Sequence, residues 1–317
     1  MNNEIKTSYI VPFKKTLYLL LFAACAAPMV GTAAALGGGI FFSMLLGNPW
    51  AKQSNAISKK MLQLSVVGLG FGLSLGDVWQ VSKHSLLYTV IGIALTIGAG
   101  TLMGRLFGTG AKTSALISFG TAICGGSAIA AMSPVIKAED DETAIALATV
   151  FTLNSMALLI FPPIGRLLQM SQHDFGVWAG LAIHDTSSVV GAAAAYGAGA
   201  LAVGTTVKLA RAIWITPCVM VAAWLGKSEQ KSKIPLFIVG FIAASTLRAL
   251  LPQFSEIWGG LAAIARQALV MTLFLIGAGL NRGMFHKVSV RPLLQGVALW
   301  LLVSTLTLTA ILHGIIG

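Results

Sequence analysis

Residues 120–131 read Gly-Thr-Ala-Ile-Cys-Gly-Gly-Ser-Ala-Ile-Ala-Ala, and residues 180–191 read Gly-Leu-Ala-Ile-His-Asp-Thr-Ser-Ser-Val-Val-Gly. Laid on each other at an offset of 60, they share Gly-x-Ala-Ile-x-x-x-Ser, with a β-branched residue two positions further on. Each lies inside a long apolar run, where adjacent glycines and hydroxyl residues permit an unwound turn. Freed backbone groups are tolerable at membrane depth only when they face protein or water. An unwound turn also exposes the N-terminus of a half-helix, whose N–H groups and positive dipole end suit an anion. Substrate sites built this way recur near the midplane of secondary transporters. Close helix packing uses the same small residues, so either stretch alone reads first as a packing surface. The matched pair points instead to two broken or re-entrant helices.

The rest of the chain sets the class. Of its 317 residues 56% are hydrophobic, 10% are charged and 35 are glycine, with a mean hydropathy of +0.85. Soluble domains carry about 25% charged residues, so a soluble enzyme, a disordered chain and a disulfide-stapled secreted domain are excluded. The apolar residues come in blocks and not in alternation, which excludes a transmembrane β-barrel. What remains is an all-α polytopic membrane protein. Cys25, Cys124 and Cys218 fall in apolar runs without metal-ligand spacing and read as small packing residues. No phosphate-cradling GxxxxGK[ST] motif occurs, so the expectation is gradient-driven transport, with no enzymatic activity, cofactor or metal.

A crossing helix needs about 20 apolar residues. Eleven segments qualify: 15–30, 32–47, 59–76, 85–106, 113–136, 143–168, 175–198, 206–225, 234–251, 264–281 and 292–316. The first two are broken at Pro28 and Gly31 and form either two short spans or one kinked helix, so the count is ten or eleven. With the N-terminus inside, eleven crossings leave only Lys83, Lys137, Lys208, Arg211, Arg248 and Arg266 at the outside, against fifteen of the 21 basic residues inside. That is the positive-inside asymmetry, and it accounts for most of the net charge of +11 without a nucleic-acid partner. The reading is one transmembrane domain over 1–317, with 1–14 a cytoplasmic N-terminal segment. No loop is long enough for a soluble domain. The lipid bilayer is its environment, a bacterial inner membrane its location, and a homodimer its candidate assembly.

Asp185 is the acid placed well within a predicted span, at a cost of at least about 2.5–3.5 kcal/mol unless paired or hydrated. It suits three roles: carrying a coupling proton, anchoring a coupling cation, or capping the half-helix that follows. His184 suits a proton relay or plain packing. The candidate substrate donors are Cys124, Gly125, Gly126, Ser127, Thr186, Ser187 and Ser188. Asn154, mid-span between the two motifs, and Arg248, near a span end, are candidate pathway residues. Lys208 and Arg211 read as snorkelling to the headgroups. The run Glu139-Asp140-Asp141-Glu142 reads as a solvated helix cap. Gly68–Gly76 and Phe274–Gly283 end two spans in the same Gly-rich style and in opposite directions, as an inverted repeat would.

Together the stretch 120–131, the stretch 184–192 and the order of the flanking spans resemble the bacterial YeiH-type membrane proteins, a family named for sulfate export, from about residue 16 onward. The resemblance implies the broad cation:proton antiporter and bile-acid symporter superfamily, with inverted repeats of about five helices and broken helices crossing at the centre. Where sodium/proton exchangers of that superfamily keep an acidic pair, this chain has Cys124-Gly125-Gly126-Ser127, which fits an anion better than a cation. The leading expectation is therefore a secondary transporter exporting a small anion, such as sulfate, a sulfonate or a carboxylate. A cation:proton antiporter using Asp185 and a non-transporting membrane scaffold are the alternatives.

Overall fold

The computed structural model describes residues 2–73, 75–225, 236–280 and 289–316. Ser74, Lys227, Lys231, Lys233, Arg282, Gly283 and Lys287, which entered the sequence reading, lie outside the described residues. All regular structure among the described residues is helical. In chain order the helices are α1 (Asn2–Ala24), α2 (Thr32–Leu46), α3 (Ala51–Gly70), α4 (Leu75–Leu106), α5 (Ala111–Ala122), α6 (Gly125–Met132) and α7 (Asp140–Leu167). They continue with α8 (Gln172–Ala182), α9 (Thr186–Tyr196), α10 (Ala198–Ile213), α11 (Ile215–Leu225), α12 (Leu236–Leu250), α13 (Ser255–Gly279) and α14 (Val290–Leu312).

Among the described residues, five stretches are long and apolar enough to cross a membrane: Leu87–Leu106, Asp140–Leu167, Ala198–Trp224, Pro252–Gly279 and Val290–Leu312. Ala34–Leu46 and Leu236–Leu250 are shorter apolar helices. Leu106, Leu167 and Trp224 are 73%, 82% and 79% exposed. Large apolar side chains on the outside with serines, threonines and charges inside are the reverse of a water-soluble fold and suit a hydrocarbon solvent. The chain is an all-α polytopic membrane protein.

The chain divides into two compact units, Met1–Leu75 with Gly240–Gly283, and Gly76–Val239 with Met284–Gly317. In the first, α3 and α13 run antiparallel: Gly68 packs on Ala265, while Gly279 packs on Asn55 towards the other end of α3. Helices α2 and α13 touch backbone to backbone, since a Cβ on Gly39 would strike the Phe274 carbonyl and one on Gly277 the Leu36 carbonyl. These glycines are used for packing alone. Tyr18 of α1 fills the adjacent core, edge-on to Phe42 and Phe274 with centroids 5.3 Å away in each case. Its hydroxyl lies 2.7 Å from Ser54 Oγ.

The second unit is organised by two helical hairpins. Helices α5 and α6 form hairpin 1. Lys112 Nζ, at its start, donates to the Lys137 carbonyl at 2.7 Å and lies 3.9 Å from Glu142 Oε2. A continuous helix would hold residues 112 and 137 about 37 Å apart. Helices α8 and α9 form hairpin 2, where Phe175 and Tyr196 stack with centroids 3.8 Å apart and Gly199 N donates to Gln172 Oε1 at 2.7 Å. Each segment turns back on itself halfway. The hairpins enter from opposite ends of α7. Ser133 Oγ meets Thr143 Oγ1 at 2.6 Å at one end, and Arg166 Nη2 donates to the Ala195 carbonyl at 2.7 Å at the other.

This corrects the span count, because 113–136 and 175–198 are hairpins and not crossings. The basic-residue tally built on eleven crossings falls with it. Lys137 and the acidic run share one end of α7 with Lys112, and Arg166 stands at the opposite end. The acidic run itself is as expected: Glu139 and Glu142 form a reciprocal cap on α7, with Glu139 N donating to Glu142 Oε2 at 2.9 Å. Of the broken or re-entrant helices expected, this unit contains two re-entrant hairpins. Its repeating element is a hairpin followed by a span, α5–α6–α7 and then α8–α9–α10, traversed in opposite directions. The offset of 60 between the motifs is the spacing of the two hairpin tips. Helix α14 braces both hairpins. Fully buried Gln295 Nε2 donates to the Gly100 carbonyl at 2.9 Å and to Ser114 Oγ at 2.9 Å, and Trp178 Nε1 donates to the Ser304 carbonyl at 3.1 Å.

Candidate functional site: where the hairpin tips meet

The first arms of the hairpins end at Ala122 and Ala182, and the second arms start at Gly125 and Thr186. Between them Ile123–Cys124 and Ile183–Asp185 are non-helical. The two tips touch: Cys124 Sγ lies 3.2 Å from Thr186 Oγ1, and a Cβ on Gly125 would sit 3.0 Å from the His184 carbonyl. Gly125 has φ +52°, the left-handed region that most side chains avoid. Asn154, near the middle of α7, accepts a hydrogen bond from His184 N at 3.0 Å through Oδ1. The candidate residues of both motifs and Asn154 are therefore brought together in one unit. Arg248 lies on α12, in the other unit, and is partly exposed.

Turning a helix back leaves the last carbonyls of its first arm without intrahelical partners. Both hairpins meet this cost with cations from one helix. Lys208 of α10 donates through Nζ to the Ile183 carbonyl at 2.7 Å. Arg211, one turn on, donates through Nε to the Ala122 carbonyl at 2.7 Å and through Nη2 to the Thr121 carbonyl at 3.3 Å. Its Nη1 donates to the Leu181 carbonyl. The guanidinium fork thus ties hairpin 1 to hairpin 2, which a point-like ammonium cannot do. Lys208 is 0% exposed and Arg211 2%. The snorkelling assignment is wrong for both: the span starts at Ala198 and not at 206, which moves them from its end to its middle. Being three residues apart, they share a helix face, a clue the sequence did hold.

The second arms present N-termini to the same place, and here the hairpins differ. Asp185 caps α9: Oδ1 accepts from Ser188 N at 2.9 Å and Oδ2 from Ser187 Oγ at 2.6 Å. Of the roles open to Asp185, capping is the one seen. It engages two of the donors expected for substrate. No side chain caps α6. Ser127, in its first turn, is exposed.

Several buried polar atoms here lack a hydrogen-bond partner among the described residues: both ring nitrogens of His184, Asn154 Nδ2 and the hydroxyls of Thr121 and Thr152. No ion pair joins Lys208 or Arg211 to an acid among the described residues. The meeting point holds two buried cations and one carboxylate, so its formal charge is positive with His184 neutral.

The chain matches the family model described as conserved hypothetical protein 698 over residues 16–296. It is 61% identical over 298 residues to a UPF0324 membrane protein of Geobacter sulfurreducens, covering 94% of this chain and 96% of that one. It is 47% identical over 297 residues to a UPF0324 membrane protein of Bdellovibrio bacteriovorus, covering 92% and 91%. A UPF0324 membrane protein of Bacteroides thetaiotaomicron is 48% identical over 276 residues, covering 86% and 84%. No solved structure matches the chain. A polytopic chain aligned nearly end to end with these membrane proteins belongs to their family, conserved hypothetical protein 698, the UPF0324 membrane proteins.

Proposed function

We propose that this protein is a secondary transporter for a small anion, bound where the two hairpin tips meet. The observation that carries the reading is the pair of buried cations, Lys208 and Arg211, set against a single carboxylate, Asp185. Burying charge without a counter-charge costs several kcal/mol. Here the carbonyl ends of α5 and α8 offset part of that cost through their dipoles, and an incoming anion offsets more. A site approached by one hairpin from each end of α7 is also suited to alternating access, in which either hairpin opens while the other stays closed. His184 and Asp185 are the groups we assign to the coupling ion. Export of a sulfate-like, sulfonate or carboxylate anion across a bacterial inner membrane is the direction the family resemblance suggests.

The test is transport in proteoliposomes. Sulfate uptake driven by a counter-anion or pH gradient, and lost in Ser127→Ala and Asp185→Asn, is the expected result. Sodium- or potassium-dependent dequenching of a pH dye with no anion requirement would replace this reading with a cation:proton antiporter.

A further inference from the structure

Hairpin 2 carries its own anion. The Asp185 carboxylate occupies the N-terminus of α9, taking the Ser188 N–H at 2.9 Å and the Ser187 hydroxyl at 2.6 Å. Sixty positions earlier, hairpin 1 has Gly125 in place of Asp185 and Ser127 in place of Ser187. The N–H groups and dipole end of α6 point to the same meeting place, with no side chain on them. A second, independent donor is aimed there. Asn154 is 2% exposed, its Nδ2 has no hydrogen-bond partner among the described residues, and that atom lies 3.4 Å from where a Cβ on Gly125 would be, next after the His184 carbonyl oxygen at 3.0 Å and Asp185 Cβ at 3.1 Å. Its other amide atom, Oδ1, is fixed by His184 N at 3.0 Å, so the NH₂ group is held in this direction.

We propose that the transported anion sits on hairpin 1, in the place beside Gly125 that corresponds to the Asp185 carboxylate on hairpin 2. The proposal rests on the transport reading above and adds to it the hairpin and the donors that hold the anion. The ligand is an oxyanion with two or more acceptor oxygens on one centre, a carboxylate, sulfonate or sulfate. The first turn of α6, the Ser127 hydroxyl and Asn154 Nδ2 donate to it. An aspartate at 125 would carry a built-in competing charge to this N-terminus, which the glycine leaves free. The two hairpins are thus one open seat and one seat permanently taken.

The experiment measures sulfate, methanesulfonate and acetate binding to the full-length protein in detergent by calorimetry. Gly125→Asp is compared with Gly125→Asn, its neutral reference of the same size; both residues tolerate positive φ better than other side chains. Gly125→Asp is expected to bind roughly ten- to thirty-fold more weakly than Gly125→Asn, the range set by a charge at a partly buried helix N-terminus. Adding Asp185→Gly to Gly125→Asp moves the open seat to hairpin 2 and is expected to restore binding. Asn154→Asp retains the acceptor for His184 N but removes the donor; it tests the same seat if the Gly125 variants do not fold, and is expected to lose binding at unchanged melting temperature.

Equal affinities for Gly125→Asp and Gly125→Asn, or full binding by Asn154→Asp, overturn the seat and leave the transport reading standing. A folded wild type that binds none of the three anions overturns both.

Discussion

Hairpins 1 and 2 are built alike and finished differently. Each is two short helices around a tip of two or three non-helical residues, and each enters from its own end of α7. The carbonyl ends of both first arms are held by α10, through Lys208 for hairpin 2 and Arg211 for both. At the N-termini of the second arms the likeness stops: the Asp185 side chain caps α9, whereas α6, entered through Cys124 and Gly125, has no side-chain cap. The shared half of the design is structural, because any re-entrant hairpin strands carbonyls at its tip. The half that differs needs no such explanation, since an N-terminus can be capped from within in either hairpin. That is why we place the chemistry on the open one.

The first way to break this comparison is to remove the group that serves both hairpins. Arg211→Met leaves the carbonyls of Thr121, Ala122 and Leu181 without their partner, a loss of about 3 kcal/mol or more at 1–3 kcal/mol per unsatisfied buried group. We expect a large fall in melting temperature in detergent, or failure to accumulate, with only partial recovery in Arg211→Lys. Lys208→Met strips only the Ile183 carbonyl on hairpin 2 and should cost about 1–3 kcal/mol. If the two variants melt alike, the claim that Arg211 couples the hairpins is wrong.

Smaller effects sharpen the contrast at the second arms. Asp185→Ala removes the cap on α9 and should cost about 0.5–2 kcal/mol, read in the same melting assay; an unchanged melting temperature would mean that the carboxylate is not a cap. Cys124→Ala removes the tip-to-tip contact with Thr186 and should cost about 1 kcal/mol or less. A loss as large as that of Arg211→Met would show that the tips hold each other and that α10 is secondary.

Much of this site was legible in the residues. Glycine and hydroxyl clustering placed both helix breaks within stretches of twelve residues, the matched offset tied them together, and Asn154 and Asp185 stood out as polar groups inside apolar runs. The choice between a broken and a re-entrant helix was not legible. A hairpin that goes halfway and returns uses as many apolar residues as a helix that goes across, so hydropathy gives 113–136 and 175–198 the length of spans. The side-to-side charge tally inherited that error. Lys208 and Arg211 were missed for a related reason. The window opened at 206, and eight further residues of small or apolar character, Ala198 to Thr205, belong to the same span. Gln295 is a different case: its value as a brace depends on Gly100 and Ser114, far away in sequence, and no local pattern announces it.

The central claim is that both motifs sit at the tips of hairpins inserted from opposite sides. It is tested most directly by sided thiol labelling. In a background with Cys25, Cys124 and Cys218 replaced by alanine, single cysteines are placed at Lys112, Lys137, Gln172 and Ala198 and exposed to a membrane-impermeant maleimide in oriented vesicles. Positions 112 and 137 are expected to react from one side, and 172 and 198 from the other. Labelling of 112 and 137 from opposite sides would make residues 111–137 a crossing helix and contradict it.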